Sequence, residues 1–173
     1  AKVIVANVEQ VVVVFAAADP EPRLRTLDRF LVLAELNDLA ARIVINKIDA
    51  AKDEAALRTG LQPYIAAGYD ILFTSTTNGT GLDAFRTLLC GHESVVTGPS
   101  GVGKSSLLNT LEPDLSLRVG AVSEAHGKGR HTTVSARLVR LACGGHVVDT
   151  PGLREVGLWG MDPDRLDDAF PEF

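Results

Sequence analysis

The segment Gly98–Ser105 carries the most specific chemistry in the chain. It fits the pattern G-x-x-x-x-G-K-[ST] and lies between an apolar run and a helical pattern. Glycines let the backbone curl so that its N–H groups face a polyphosphate, and the following helix adds the positive end of its dipole. Lys104 would reach the β- and γ-phosphates, and the Ser105 hydroxyl would be a ligand of Mg²⁺. The pattern predicts a phosphate-binding loop with these contact residues: Gly98, Pro99, Ser100, Gly101, Val102, Gly103, Lys104, Ser105 and Ser106.

A second segment, Asn46-Lys47-Ile48-Asp49, indicates which base accompanies the phosphates. The Asp49 carboxylate can accept two hydrogen bonds from guanine, from N1–H and from the exocyclic amine, and adenine lacks this donor pair. Buried polar groups left unpaired would penalise the wrong base, and the aliphatic stem of Lys47 can lie along the flat ring. The four residues together predict a guanine site, although a short N-K-x-D string also occurs as an ordinary turn at a strand end.

The segment that begins at Thr74 is predicted to support the base from its other side. Ser75 and Thr76 match a loop whose backbone N–H meets the guanine carbonyl, and they precede Asn78-Gly79-Thr80-Gly81. The usual form of that loop is Ser-Ala, so Thr76 is a departure. By itself the segment is equally consistent with an ordinary Asn-Gly turn.

Asp149-Thr150-Pro151-Gly152 closes another apolar run and matches D-x-x-G. In this motif the aspartate, here Asp149, holds Mg²⁺ through water, and the N–H of Gly152 senses the γ-phosphate. The order of the motifs is as informative as their content. In the usual GTPase the phosphate loop and D-x-x-G come before N-K-x-D, whereas here N-K-x-D and the Ser75 loop come first. This is a circular permutation, and all the motifs can still meet at the carboxyl edge of one sheet.

Short apolar runs alternate with amphipathic stretches, which predicts an α/β fold of the P-loop NTPase type. We expect three layers, with a mostly parallel central sheet and a single circularly permuted domain over residues 1–173. The predicted strands are Gln10–Ala16, Arg42–Asn46, Asp70–Phe73, His92–Thr97, Val134–Leu141 and His146–Asp149, the last two joined as a hairpin at Cys143-Gly144-Gly145. Helices are predicted from about Leu24 to Ala34, over Lys52–Ala66 with breaks at Gly60 and Pro63, and over Leu82–Leu89, Lys104–Leu111 and Asp164–Phe170.

Composition is ordinary for a globular domain, with 46% apolar and 23% charged residues among 173. The net charge of −5 argues against general nucleic-acid binding. The longest apolar stretch is too short to span a bilayer, and nothing in the first residues resembles a secretion signal. Cys90 and Cys143 have neither disulfide-framework nor zinc-site spacing, so we expect two separate, small, buried side chains in a reducing cytoplasm.

With these motifs in this order, the chain resembles the circularly permuted family called ribosome small-subunit-dependent GTPase A (RsgA, also EngC). The resemblance covers essentially the whole chain and is carried by Ala6–Gln10, Asp28–Leu31, Asn46–Asp49, Gly98–Asn109, Gly129–Thr133 and Asp149–Gly157. Glu9 is a conservative departure, since the family usually has aspartate there.

The resemblance implies a GTPase that acts in late maturation of the small (30S) ribosomal subunit and that is slow without the subunit. It implies GTP or GDP with Mg²⁺ as ligands, the subunit and its rRNA as partners, a cytoplasmic location and no membrane association. Family members also carry an N-terminal OB-fold domain and a C-terminal zinc domain. Neither is present in this chain, so we expect an isolated central domain without zinc, and a monomer.

Hydrolysis needs a group that orients the attacking water, and Leu153, which follows Gly152, cannot hydrogen-bond water. We predict that His131 takes this role, although it could equally be a solvent-facing loop residue. Thr133 is the candidate switch ligand of Mg²⁺, with Thr132 as the alternative. The surrounding stretch is basic, with only Glu124 opposing, and is predicted to be a switch loop able to meet rRNA phosphate or else a solvated loop: Arg118, His126, Lys128, Arg130 and His131.

Two other functions fit parts of the sequence. Gly98–Ser105 also resembles the opening of guanylate kinases, but these place the loop near the start of the chain and have no use for N-K-x-D or D-x-x-G. Leu153 favours a binding module controlled by guanine nucleotides, with negligible hydrolysis.

Overall fold

The computed structural model describes residues 8–112 and 137–149, and for Arg137 and Asp149 it describes the backbone. The strands are β1 (Gln10–Ala16), β2 (Ala40–Asn46), β3 (Ile71–Phe73), β4 (Glu93–Thr97), β5 (Arg137–Arg140) and β6 (His146–Asp149). The helices are α1 (Leu24–Glu35), α2 (Glu54–Gly60), α3 (Gln62–Ala66), α4 (Leu82–Leu89) and α5 (Lys104–Leu111).

The described strands form one sheet in the order β3-β2-β1-β4-β6-β5. All neighbouring pairs are parallel except β5 and β6, which form an antiparallel hairpin with Leu138 opposite Val148. Because β1, β2, β3, β4 and β6 run in one direction, their carboxyl ends lie at the same edge of the sheet. The predicted, mostly parallel α/β architecture is confirmed.

Alternate residues of β1 supply two separate cores, as the period of a buried strand requires. Val12 and Val14 face a cluster with buried side chains of α4 and α5, among them Phe85 and Leu107. Val13 and Phe15, on the opposite face of β1, belong to a second cluster formed with α1 and with the segment around α2 and α3. The sheet is therefore covered by helices on both faces, and the predicted three layers are confirmed.

Most element bounds follow the sequence pattern closely. β1, α4 and α5 have the predicted residues. The long helix predicted over Lys52–Ala66 is two helices, because the chain turns at Leu61 and Pro63 lies in the first turn of α3, where its missing N–H costs little. The predicted helix Asp164–Phe170 lies outside the described residues.

The prediction of two separate buried cysteines is wrong. Cys90 and Cys143 form a disulfide, with their Cα atoms 5.4 Å apart. Cys90 follows α4, and Cys143 lies exposed in the β5–β6 turn. The two residues are 53 positions apart in the sequence and meet only because β6 pairs with β4. A local reading of the sequence has no signal for such a pairing.

No helix within residues 8–112 and 137–149 is long and apolar enough to cross a membrane.

Candidate nucleotide-binding site

The loop Gly98–Gly103 leaves the carboxyl end of β4 and leads into α5. Gly98 has φ +135°, and a Cβ at this position would overlap the carbonyl oxygen of Val14 in β1. Gly101 and Gly103 also have positive φ values, +82° and +94°. Only glycine combines these backbone angles with so close an approach. The loop is curled, and its glycines are required by its geometry.

Lys104 lies at the start of α5 and turns back over this loop. Its Nζ donates hydrogen bonds to the carbonyl oxygens of Gly98 (2.8 Å) and Pro99 (2.7 Å). These two contacts hold the ammonium group at the loop. A polyphosphate would offer charged oxygens to the Lys104 ammonium group. Charged oxygens accept stronger hydrogen bonds than neutral carbonyl oxygens do.

Asn46, the first residue of the N-K-x-D segment, joins three loops of the site. Its side chain is buried, with Nδ2 donating to the Val102 carbonyl oxygen at 2.9 Å and Oδ1 accepting from the Thr74 hydroxyl at 3.1 Å. A Cβ on Gly103 would collide with the same amide nitrogen. Asn46 thus fixes the base-recognition segment to the phosphate loop on one side and to the end of β3 on the other.

The next polar residues of this segment, Lys47 and Asp49, are less buried than Asn46. Lys47 adopts the left-handed conformation (φ 58°, ψ 37°), and its Nζ donates to the carbonyl oxygen of Asp19 in the β1–α1 loop. Asp49 lies exposed in the short turn Ile48–Ala50, whose Ile48 is buried. A hydrogen bond from the Ser75 hydroxyl lowers the pKa of the Asp49 carboxyl group below its usual value. Asp49 is therefore an exposed, ionised acceptor, as recognition of guanine requires.

The Ser75 loop is built around one buried hydroxyl. Ser75 Oγ accepts from the backbone N–H groups of Thr77 (3.1 Å) and Asn78 (3.3 Å), and the Ser75 N–H donates to the Thr80 carbonyl oxygen (2.9 Å). Gly81 closes the loop with φ +68°, at a point where a Cβ would overlap the Phe73 carbonyl oxygen. The Asn-Gly turn is present, and it also places Ser75 against Asp49. Thr76 follows Ser75 and is half-buried.

Two of the predicted magnesium ligands, Ser105 and Asp149, belong to the segments that leave or end the adjacent strands β4 and β6. Ser105 lies in the first turn of α5 and is half-buried. Asp149 ends β6, where its backbone is paired with Val96, two residues before the phosphate loop. Within the described residues no group of three or more His, Cys, Asp or Glu side chains is arranged to hold a metal ion. Magnesium needs no such group when phosphate oxygens supply part of its coordination, so a glycine-lined loop with a lysine and a serine hydroxyl fits a magnesium–polyphosphate.

Several predicted site residues lie outside the described residues, and the structure does not test them: His131, Thr132, Thr133, Gly152 and Leu153, with the basic stretch of Arg118, His126, Lys128 and Arg130.

Sequence reasoning missed the role of Thr74 and that of the β1–α1 loop. Thr74 is completely buried and hydrogen-bonds Asn46. Pro20 lies against the phosphate loop, where a Cβ on Gly101 would be 3.7 Å from its ring. The one signal for Thr74 was its position at a strand end next to Ser75. The residues between β1 and α1 show no pattern that predicts a contact with a loop some eighty residues away along the chain.

A glycine-lined phosphate loop, an N-K-x-D turn and its supporting serine loop thus meet at one edge of a parallel sheet. Their arrangement is similar to that of a P-loop nucleotide-binding domain of the guanine type, with the motifs in permuted order. A model of the RsgA GTPase family matches residues 1–159. The chain belongs to this family.

Relatives and solved structures agree with this assignment. The chain is 54% identical over 172 residues to the small ribosomal subunit biogenesis GTPase RsgA of Gemmatimonas aurantiaca, covering 99% of this chain and 56% of that protein. It is 49% identical over 169 residues to the protein of the same name in Moorella thermoacetica, covering 97% and 57%.

Among solved structures, YjeQ from Thermotoga maritima matches with a TM-score of 0.77 and 39% identity, over 98% of this chain and 56% of that one. YloQ, described as a circularly permuted GTPase, matches with a TM-score of 0.73 and 33% identity, over 95% and 52%. The chain therefore spans a little over half the length of the relatives it matches.

Proposed function

We propose that this domain binds GTP and GDP with Mg²⁺ and hydrolyses GTP, as part of a factor that acts in biogenesis of the small ribosomal subunit. The observation that carries the proposal is the Asn46 junction, which ties the guanine segment to the phosphate loop through one buried amide. The exposed Asp49 carboxylate beside Ser75 supports guanine over adenine. The ribosomal part depends on the names of the relatives, which are small ribosomal subunit biogenesis GTPases.

Each group then has a distinct task. The backbone N–H groups of Gly98–Gly103 and the Lys104 ammonium bind the phosphates and neutralise charge that develops as the terminal phosphate leaves. Mg²⁺, when bound, neutralises charge on the β- and γ-phosphates. The Ser105 hydroxyl would be a ligand to it, Asp149 would hold it through water, and Thr133 or Thr132 would join the site in the GTP state. Asp49, with Ser75 and Thr76, would hold the base.

Water activation is the step with no obvious group, because Leu153 replaces the residue that usually orients the water. We propose His131 for this role and Gly152 as the sensor of the γ-phosphate. Replacing His131 with alanine should leave GTP affinity unchanged and lower the turnover stimulated by small subunits by about 10²-fold. An unchanged stimulated turnover would remove His131 from the mechanism.

Guanine recognition is tested by changing Asp49 to asparagine. The amide presents a donor where guanine also presents donors, so GDP affinity should fall at least about 100-fold. Affinity for xanthosine diphosphate, whose base has a carbonyl at that position, should rise. Asp38→Asn is the matched control, because Asp38 is also exposed but precedes β2 at the opposite edge of the sheet, with φ 54° that asparagine tolerates. Equal losses of GDP affinity in the two variants would refute the assignment of Asp49.

Hydrolysis and binding are separated by single-turnover assays with and without small ribosomal subunits. We expect slow hydrolysis by the domain and stimulation of the whole protein by the subunit. Lys104→Ala should abolish nucleotide binding, whereas Lys52→Ala, an exposed lysine outside the phosphate loop, should not. Tight GTP binding without hydrolysis in either condition would favour the nucleotide-controlled binding module that Leu153 suggests. Family membership argues against the guanylate-kinase alternative, and GMP should not accelerate consumption of ATP.

The wider setting is proposed on the same basis. A factor for small-subunit biogenesis would act in the cytoplasm, as a monomer in contact with the subunit and its rRNA. The basic stretch around Lys128 and Arg130 is the proposed rRNA contact. Sedimentation of the protein with small subunits at increasing salt concentration would test this, because phosphate contacts weaken steeply with salt.

A further inference from the structure

The turn of the β5–β6 hairpin is fastened to the rest of the fold by hydrogen bonds that do not involve sulfur. The Gly91 N–H donates to the Gly144 carbonyl oxygen at 2.8 Å, and the His146 N–H donates to the His92 carbonyl oxygen at 3.0 Å. From the end of α5, Glu112 accepts a hydrogen bond from the Ala142 N–H at 2.5 Å. These three hydrogen bonds join the turn to the residues beside Cys90 and to the end of α5 without using the sulfur atoms.

The same two cysteines lie side by side within disulfide distance of each other. Their Cα atoms are 5.4 Å apart, within the range that a disulfide spans without backbone movement. Cys143 is exposed, and Cys90 is half-buried beside it. An exposed residue with a partner held in reach is the arrangement of an attacking and a resolving cysteine.

We propose that Cys90 and Cys143 form a reversible thiol–disulfide site, and that its oxidised form slows GTP turnover. The oxidant is a low-molecular-weight disulfide. The Cys143 thiolate attacks one of its sulfurs and releases one thiol, which leaves a mixed disulfide on Cys143. The Cys90 thiolate then attacks the Cys143 sulfur and releases the second thiol. Two protein thiols are oxidised, and one external disulfide is reduced to two thiols.

The proposed effect of the disulfide on GTP turnover depends on the two strands that follow the cysteines. Cys90 precedes β4, which runs directly into the phosphate loop, and Cys143 precedes β6, which ends at Asp149. β4 and β6 are paired in parallel from Glu93 with His146 to Val96 with Asp149. A covalent bond at the amino ends of both strands therefore restrains relative movement of the phosphate loop and Asp149 at their carboxyl ends. This step rests on the proposed function, in which Asp149 holds Mg²⁺ through water.

A reducing compartment makes the site a switch. Disulfides of cytosolic proteins are usually transient and redox-sensing, because cytosolic thiols keep structural ones reduced. The hydrogen bonds at the turn do not depend on sulfur, so the reduced form keeps its fold and oxidation adds a restraint at the hairpin.

The test uses the chain equilibrated with mixtures of reduced and oxidised glutathione, with thiol titration, single-turnover GTP hydrolysis and release of a fluorescent GDP analogue measured on each sample. We expect both thiols to disappear together as oxidised glutathione rises, and turnover to fall about five-fold. Cys90→Ser should stop at the mixed disulfide on Cys143, and the Cys90→Ser, Cys143→Ser double variant should be insensitive to redox state.

Two results would overturn the inference. One is that both thiols persist in oxidised glutathione, and the other is that the oxidised and reduced wild-type chains turn over GTP at the same measurable rate. Failure of the proposed function is distinct from both, because it would show as absent guanine-nucleotide binding in the reduced wild type, while thiol titration still reports on disulfide formation.

Discussion

Asn46 shows how a single side chain organises a site made of distant segments. Its amide donates to the loop that follows β4 and accepts from the residue that follows β3, and its side chain is buried. A buried amide with both ends satisfied fixes its neighbours firmly, because losing either partner leaves a desolvated polar atom. In this chain the first residue of the N-K-x-D segment therefore has a positioning role beside the base recognition proposed for the segment.

Replacing Thr74 with valine tests this positioning role. The change keeps the shape and removes the donor to Asn46, so the free energy of unfolding should fall by about 1–3 kcal/mol. Urea denaturation measures the loss, and GDP affinity should fall with it. Thr97→Val is the matched control, because the buried Thr97 hydroxyl has no hydrogen-bond partner in the part of the chain that the structure describes. We expect that variant to be as stable as the wild type or more stable. A Thr74 variant no less stable than the Thr97 variant would contradict the role given to Asn46.

Gly103 offers a second test at the scale of single residues. Gly103 and Gly68 have nearly the same φ, +94° and +93°, but a Cβ on Gly68 meets nothing within 4 Å whereas one on Gly103 meets the Asn46 amide. Both alanine variants should lose about 1–2 kcal/mol of stability from the left-handed backbone. Only Gly103→Ala should also lower GDP affinity, by about tenfold or more. Calorimetric titration with GDP decides this, and equal affinities in the two variants would count against the close approach of the phosphate loop to Asn46.

At the scale of elements, strands β4 and β6 connect the disulfide region to the proposed nucleotide site. Each starts near the disulfide, and each ends at a segment proposed to hold phosphate or magnesium. The helices packed on the sheet keep these ends in place, with Phe85 and Leu89 of α4 and Leu107 and Leu108 of α5 fully buried in one core cluster. The loops can therefore be irregular while their attachment points stay fixed.

Reducing the disulfide should lower the stability of the fold by an amount set by the loop that it closes. The two cysteines are 53 positions apart, and the chain-entropy estimate for such a loop is about 4 kcal/mol. Urea unfolding of the oxidised and the reduced wild-type chain measures the difference. The Cys90→Ser, Cys143→Ser double variant should unfold identically in both conditions and resemble the reduced wild type. A difference of less than about 1 kcal/mol would show that the crosslink strains the native chain or that the reduced unfolded chain keeps residual structure.

At the scale of the whole molecule, the permuted order leaves the three-dimensional site intact. The sheet places β1 between β2 and β4, so the guanine segment after β2 and the phosphate loop after β4 flank one central strand. Since parallel strands bring their carboxyl ends to one edge, chain order does not decide which loops meet. Strand order decides it.

Ligand binding should therefore stabilise the domain as a unit. GDP with Mg²⁺ at 100 times its Kd should add about 2.7 kcal/mol, which corresponds to an increase of roughly 5–10 °C in Tm for a domain of this size. ADP at the same concentration should have little effect, since adenine lacks the donors that Asp49 accepts. Thermal unfolding monitored by circular dichroism measures both shifts. Equal shifts with the two nucleotides would contradict guanine selectivity while preserving the phosphate loop.

The sequence by itself determined the fold class, the site motifs and most element bounds, because hydrophobic period, glycine spacing and turn chemistry act over a few neighbouring residues. Gly98–Ser105 and Asn46–Asp49 could be assigned a chemistry from such local patterns. Only the tertiary structure decided that Asn46 bridges to Val102 and Thr74, that Lys47 reaches the Asp19 carbonyl oxygen, and that Cys90 meets Cys143. Those contacts join residues that are far apart in the chain, and they depend on which strands become neighbours in the sheet. No local propensity encodes that choice, because it results from burial of the whole core.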